Sequence, residues 1–167
     1  LEHAAIAGVA VHFQNDKPYL DPADSFQVIL QQDAPTLDKS NLLIHGIGLG
    51  AQRTGMAPAQ ALAAFEDWAG QAPLVAFHAP FDEAMIRRAM AQFLRRKLPN
   101  LWVDLAYVAQ LAIPHAKARS LDEWMALRQV TCAVRHQAAA DAWATAQLMQ
   151  SLWPLLQAQR EPLDAAR

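Results

Sequence analysis

Two aspartates and one histidine are the residues whose type and spacing suggest chemistry. Asp82 follows the apolar run Pro73 to Ala79 (PLVAFHA) and opens the helical stretch Phe81 to Lys97. This is the carboxyl end of an expected strand, where α/β sheets place ligand-binding groups. Taken alone, such an aspartate is first a helix cap that satisfies orphan amides, and a second carboxylate is needed before chemistry is implied. Asp141 supplies one. Asp141, Thr145, Leu148 and Leu152 follow the i, i+4, i+7, i+11 pattern, which places the acid on the helix face that the leucines bury. A desolvated carboxylate requires compensation, so a metal ion or an arginine is expected beside it. A first-turn acid that only complements the helix dipole is the alternative, and it would leave Asp141 exposed. His136 precedes Asp141 by five positions, about 140° around a continuous helix, so the two share a site only if His136 sits on the loop before the helix. An imidazole near a helix N-terminus is biased toward its neutral form, which suits a general base near neutral pH.

The elements that position these groups follow from periodicity and punctuation. Ala4 to Phe13 and Ser25 to Gln31 predict neighbouring antiparallel strands separated by a turn cluster from Gln14 to Pro18. A short helix is expected over Leu37 to Ile44, leading into His45-Gly46-Ile47-Gly48, and another from Pro58 through Trp68 to Gly70. After the strand Pro73 to Ala79 and the helix Phe81 to Lys97, Leu101 to Leu105 is a further short strand. Ser120-Leu121-Asp122-Glu123 is a capping box opening a helix through Arg128, and the last helix runs from Ala138 to Gln157, bent at Pro154. The class is α/β, one domain over residues 1–167, with helices concentrated late.

Composition narrows the function classes. The 167 residues are 53% apolar, enough for a sizeable core, and sixteen acids against fourteen Lys and Arg give a charge of −2, so no global field recruits a polyanion. Cys132 is the one cysteine, which is expected to be a buried structural thiol in a reducing, cytoplasmic setting. No apolar stretch approaches the ~18 residues of a membrane span, and the N-terminus lacks the order of a signal peptide. The basic cluster Arg87, Arg88, Arg95, Arg96 and Lys97 reads first as a solvated helix face, and Trp68, Trp143 and Trp153 as core packing. His3, His12 and His115 receive only surface or packing roles.

Several stretches resemble one family. Phe77-His78-Ala79-Pro80-Phe81-Asp82 is similar to the second motif, and Arg135 to Leu148, fitting HxAxxDAxxTAxL from His136, to the third motif, of DnaQ-like (DEDDh) 3′-to-5′ exonucleases, typified by the proofreading epsilon subunit of bacterial DNA polymerase III. His45-Gly46-Ile47 matches the family's HGI element, and Val103 to Ala106 and Ser120 to Asp122 match further landmarks. The resemblance implies a ribonuclease H-like mixed sheet flanked by helices, with two divalent cations, Mg²⁺ or Mn²⁺, held by four carboxylates. Asp82 and Asp141 match two of these. His136 matches the base that deprotonates the attacking water. His45, Gly46 and Ile47, with His78 and Phe81, match positions around the terminal nucleotide. Paired hard cations suit this chemistry, activating water and stabilising a leaving 3′ oxygen.

Two departures qualify the match. The family's first motif, Asp-x-Glu on an opening strand, is absent because Ala4 to Phe13 matches the family's second strand, and Glu2 is too close to that strand to replace it. The expectation is therefore an N-terminally incomplete domain, with a gap in the sheet and little activity until the first strand is restored. The second departure is Ala79, where relatives commonly carry Asn. The function implied is hydrolysis of single-stranded or frayed DNA from its 3′ end, releasing nucleoside monophosphates in proofreading or repair, with a polymerase subunit as a candidate partner. A catalytically degenerate module for nucleic-acid binding or protein interaction is the alternative, and RNA the alternative substrate.

Overall fold

A computed structural model describes residues 5–31, 55–132 and 134–164. Strands β1 (Ala5–Gln14) and β2 (Lys17–Ile29) form an antiparallel hairpin, with Gln14 opposite Lys17 and Phe13 opposite Pro18. Asn15 and Asp16 both have positive φ, 51° and 58°. That is what a two-residue hairpin turn demands, and Asn and Asp tolerate it. The expected turn cluster thus shrinks to two residues, and the second strand begins at Lys17 rather than Ser25. Its register breaks where Val9 faces Ser25 but Val11 faces Leu20. The additional residues on β2 make an irregularity in the ladder, where the Ala23 amide donates to Asp21 Oδ1 at 2.9 Å and the Ser25 hydroxyl to the Pro22 carbonyl at 3.0 Å. A Cβ on Gly8 would lie 2.7 Å from Trp68, so the ring occupies the space that any side chain there would need.

Helix α1 (Pro58–Ala69) packs on β2 and on α2 (Ala79–Leu94). Between these helices runs β3 (Leu74–Ala76), paired in parallel with β4 (Trp102–Asp104). Then follow α3 (Leu105–Ala112), α4 (Leu121–Arg128) and the long α5 (Ala138–Asp164). The expected strand Pro73 to Ala79 ends at Ala76 because His78 turns into the left-handed region, with φ 60°, and α2 starts at Ala79. Helix α5 runs on through Pro154 and past Gln157, where Ala158, Gln159 and Arg160 are good helix formers. The capping box is formed as expected: Ser120 Oγ accepts from the Glu123 amide, and Glu123 Oε2 from the Ser120 amide at 3.1 Å.

The described strands form two two-stranded sheets, β1–β2 and β3–β4. The core is correspondingly distributed among the helices that bracket them. Leu148 and Leu152 of α5 bury against Leu105, Ala109 and Ala112 of α3 and Trp124 of α4. Ala61 packs on Val28 and Leu30, and Leu62 packs on Ala89 and Met90. Trp68 packs on Phe26, and Trp153 on Phe13, so both tryptophans are packing residues. Cys132 is free and half-buried, its thiol directed at the Val134 carbonyl at 3.3 Å. No described helix is long and apolar enough to cross a membrane.

Candidate active site

Asp82 lies in the first turn of α2, half-buried, while the cap position itself belongs to His78. Burial pushes the Asp82 carboxyl above its usual range; its own backbone amide opposes this, and the negative charge of Asp104 adds to it. Among the described residues no ion pair neutralises Asp82. Asp104 is the residue that sequence reasoning noted only as a landmark. Its Oδ1 accepts from the His78 amide at 2.9 Å and from the Ala106 amide at 3.0 Å, so one carboxylate caps α3 and fastens the turn that launches α2. A signal was present: an aspartate between an apolar strand and an apolar helix is a capping position. Both parallel strands therefore end close to where their helices begin, and the charge of Asp104 is felt at Asp82. His78 and Phe81 are exposed beside them, the His78 ring 4.5 Å from that of Phe77.

The second grouping stands at the start of α5. Its first residue is Ala138, so His136 lies on the preceding loop, the placement required for it to share a site with Asp141. His136 is exposed, with φ 68°. Asp141 is half-buried and occupies the first turn of α5. Its Oδ1 accepts from the His136 amide at 3.2 Å and from Arg135 Nη1. The same guanidinium reaches Asp122 Oδ1 through Nε at 2.5 Å. Of the two compensating partners expected for Asp141, the structure contains the arginine. Hydrogen bonding to Asp122, and then to Asp141, raises the Arg135 pKa further.

No hydrogen bond or ion pair joins Asp82, Asp104 or His78 to Asp141, Arg135 or His136. Among the described residues, no group of three or more His, Cys, Asp or Glu side chains is arranged to hold a metal. The donor chemistry at Asp82 suits a hard cation, since a half-buried carboxylate destabilised by a neighbouring carboxylate is relieved by positive charge. Asp141 does not fit as it stands, because a guanidinium already neutralises it. His45, Gly46 and Ile47 lie outside the described residues.

Comparison with known proteins places this arrangement in a family. The RNase_T family model, described as exonuclease, matches residues 2–149. Stretches of DNA polymerase III PolC-type from Listeria welshimeri and Listeria innocua are each 32% identical over 100 residues, 60% of this chain and 7% of those proteins. The chain thus spans a small fraction of the curated relatives it matches. Exonuclease X, solved in complex with 5′ overhanging duplex DNA, superimposes with a TM-score of 0.62 at 17% identity, covering 88% of this chain and 81% of that one. Cell-death related nuclease 4 (CRN-4) superimposes with a TM-score of 0.69 at 13% identity, covering 88% and 62%. Those two likenesses show a shared ribonuclease H-like fold. With the family model spanning most of its length, the chain belongs to the DnaQ-like exonucleases.

Proposed function

We propose that this protein is a DEDDh-type 3′-to-5′ exonuclease that uses Mg²⁺ or Mn²⁺ to release nucleoside monophosphates from single-stranded or frayed DNA. The observation that carries this reading is the start of α5: His136 stands exposed on the loop, one backbone hydrogen bond from the Asp141 carboxylate. A neutral imidazole placed there can accept a proton from water, and Asp82 and Asp141 are the carboxylates proposed as cation ligands. Exonuclease X was solved with DNA, and PolC-type proteins are DNA polymerases by name, which supports a DNA substrate, in proofreading or repair, with a polymerase as partner. A cytoplasmic setting is proposed with that role. His45, Gly46, Ile47, His78 and Phe81 are proposed to line the terminal nucleotide.

The test is digestion of a 5′-labelled single-stranded oligonucleotide by the protein expressed from the start codon of its own reading frame. A ladder shortening from the 3′ end, abolished by EDTA and restored by Mn²⁺, is expected. Internal cuts, or shortening that ignores the chelator, overturns the proposal. RNA of the same sequence, run in parallel, decides between the two substrates. The Arg135 guanidinium on Asp141 favours a second reading, a nucleic-acid-binding module without hydrolysis. It predicts retention of the oligonucleotide with no shortening under any metal.

A further inference from the structure

Residues 81–97 carry five basic side chains and two acidic ones, in a protein of net charge −2. The five are not used alike. Arg96 is turned onto α1, its Nε donating to Glu66 Oε2 at 3.0 Å. Arg87 follows Glu83 by four positions, the spacing at which a glutamate and an arginine are neighbours on a helix surface. Arg88, Arg95 and Lys97 are exposed, and among the described residues no side-chain hydrogen bond or ion pair holds them. Phe81, Arg88 and Gln92 follow i, i+7, i+11, which sets them within about 40° of one another around α2, and Arg95, at i+14, caps the end of that helix. All four are exposed and form one stripe on its outer face. No carboxylate interrupts the stripe, since Asp82 and Glu83 stand about 100° and 200° around the helix from Phe81.

We propose that this stripe is a track for the sugar-phosphate backbone of single-stranded DNA, leading from Phe81 to the far end of α2. The proposal rests on the reading of the protein as an exonuclease, in which Phe81 lines the terminal nucleotide. Charge complementarity names the occupant. Arg88 lies about 9 Å and Arg95 about 20 Å along the helix axis from Asp82, so a strand whose 3′ end is at Asp82 brings its earlier phosphates to cations that no protein group occupies. At the ~3.4 Å per phosphate of a stacked strand, that distance spans roughly six nucleotides. An exposed ring at one end with guanidinium groups along the rest is the combination that holds single strands without reading their sequence. Asp82 and Asp104 repel phosphates near the end of the strand, and the net charge of the protein attracts none. Capture of a polyanion therefore has to come from a local basic surface, which α2 provides.

The test is fluorescence anisotropy of labelled thymidine strands with the protein expressed from its own start codon, in EDTA so that no strand is shortened. Wild type is expected to bind more tightly as the strand grows from two to roughly six nucleotides and to gain little beyond that length. Arg88→Gln and Arg95→Gln should each weaken binding of the longer strand roughly three- to tenfold at about 50 mM salt, and each should lower the slope of log affinity against log salt by about 0.7. Arg88→Lys keeps a point charge for the phosphate and should recover most of the loss. Arg87→Gln removes the same charge from another face of α2 and should leave affinity and slope as they were. Equal losses in Arg87→Gln and Arg88→Gln, or an affinity that ignores strand length, mean diffuse attraction and overturn the track. Lower melting temperatures with unchanged binding also overturn it, assigning the end of α2 to compensation of the helix dipole. Variants that all bind like wild type, in a protein that shortens strands with Mn²⁺, sink the track alone and leave this face to solvent or to an acidic protein. Length-dependent binding lost in Arg88→Gln and Arg95→Gln, with no shortening under any metal, keeps α2 as a DNA surface and sinks the exonuclease reading.

Discussion

Asp82 and Asp141 both sit in the first turn of a helix, yet their surroundings set them in opposite electrical conditions. Asp141 has a guanidinium; Asp82 has burial and a second carboxylate. The folded-state pKa of Asp82 therefore lies above its ordinary value of 3.8, so the folded protein holds a proton that the unfolded chain releases. Stability falls as pH rises from about 3.8 through the folded pKa, and it stays lower at neutral pH. Asp82→Asn should accordingly melt higher than wild type near neutral pH with EDTA present, and the difference should vanish well below 3.8, where both side chains are neutral. An Asp82→Asn protein that melts lower at neutral pH would mean that the carboxylate has a stabilising partner. Asp122 runs the other way: Arg135 holds it below 3.8, so its contribution is present above that value and is lost as pH falls through the lowered pKa. For the proposed chemistry, His136→Ala and Asp141→Asn should differ in kind. The first should slow single-turnover hydrolysis by ~10² to 10⁴-fold with Mn²⁺ affinity little changed, as loss of a general base does. The second should weaken metal binding and respond to added metal. An unchanged rate in His136→Ala would reduce that residue to a loop position.

At the scale of elements, what positions the site is the pair of turns after β3 and β4, and Asp104 ties them together. Asp104→Ala removes the acceptor for two backbone amides and should cost about 1–2 kcal/mol in chemical denaturation, as strong cap losses do. Asp104→Asn keeps a carbonyl oxygen and should recover part of that loss. Equal losses in the two variants would show that its charge, not the acceptor, matters. Much of this layer was legible from residues alone: the capping box at Ser120, the start of α5 after His136, and the helix following PLVAFHA all follow from local side-chain chemistry. What was not legible depends on partners distant in the chain. Pro18 reads as part of a turn cluster, although β2 absorbs it in the hairpin, opposite Phe13. Arg135 gave no signal of its own, because a long flexible side chain on a loop declares its partners only once Asp122 and Asp141 are brought to it. The physical requirement was nevertheless readable, since an aspartate on an apolar helix face demands a cation.

For the molecule as a whole, the β1–β2 hairpin and the helices α3 and α4 share one support, because α5 packs against all four elements. Its polar side chains reach in both directions. Gln150 donates to the Pro18 carbonyl at 3.1 Å, and Trp153 Nε1 to the Asp16 carbonyl at 2.7 Å, holding the hairpin. Gln159 donates to the Ala112 carbonyl at 3.1 Å, satisfying an orphan acceptor at the end of α3. Between these contacts Leu148 and Leu152 are fully buried, on the same helix that carries Asp141 at its start. The site's second grouping is therefore only as well placed as α5 is packed, and a core defect should be felt at the hairpin and at α3 together. Leu148→Ala is expected to destabilise the protein by about 2–5 kcal/mol, the transfer loss plus an unfilled cavity. Hydrogen exchange read by mass spectrometry should then show amides of β1, β2 and α3 losing protection in parallel, because one opening event exposes all three. Faster exchange confined to α3, with the hairpin as protected as before, would show that α5 does not couple them and that the hairpin is secured mainly by α1.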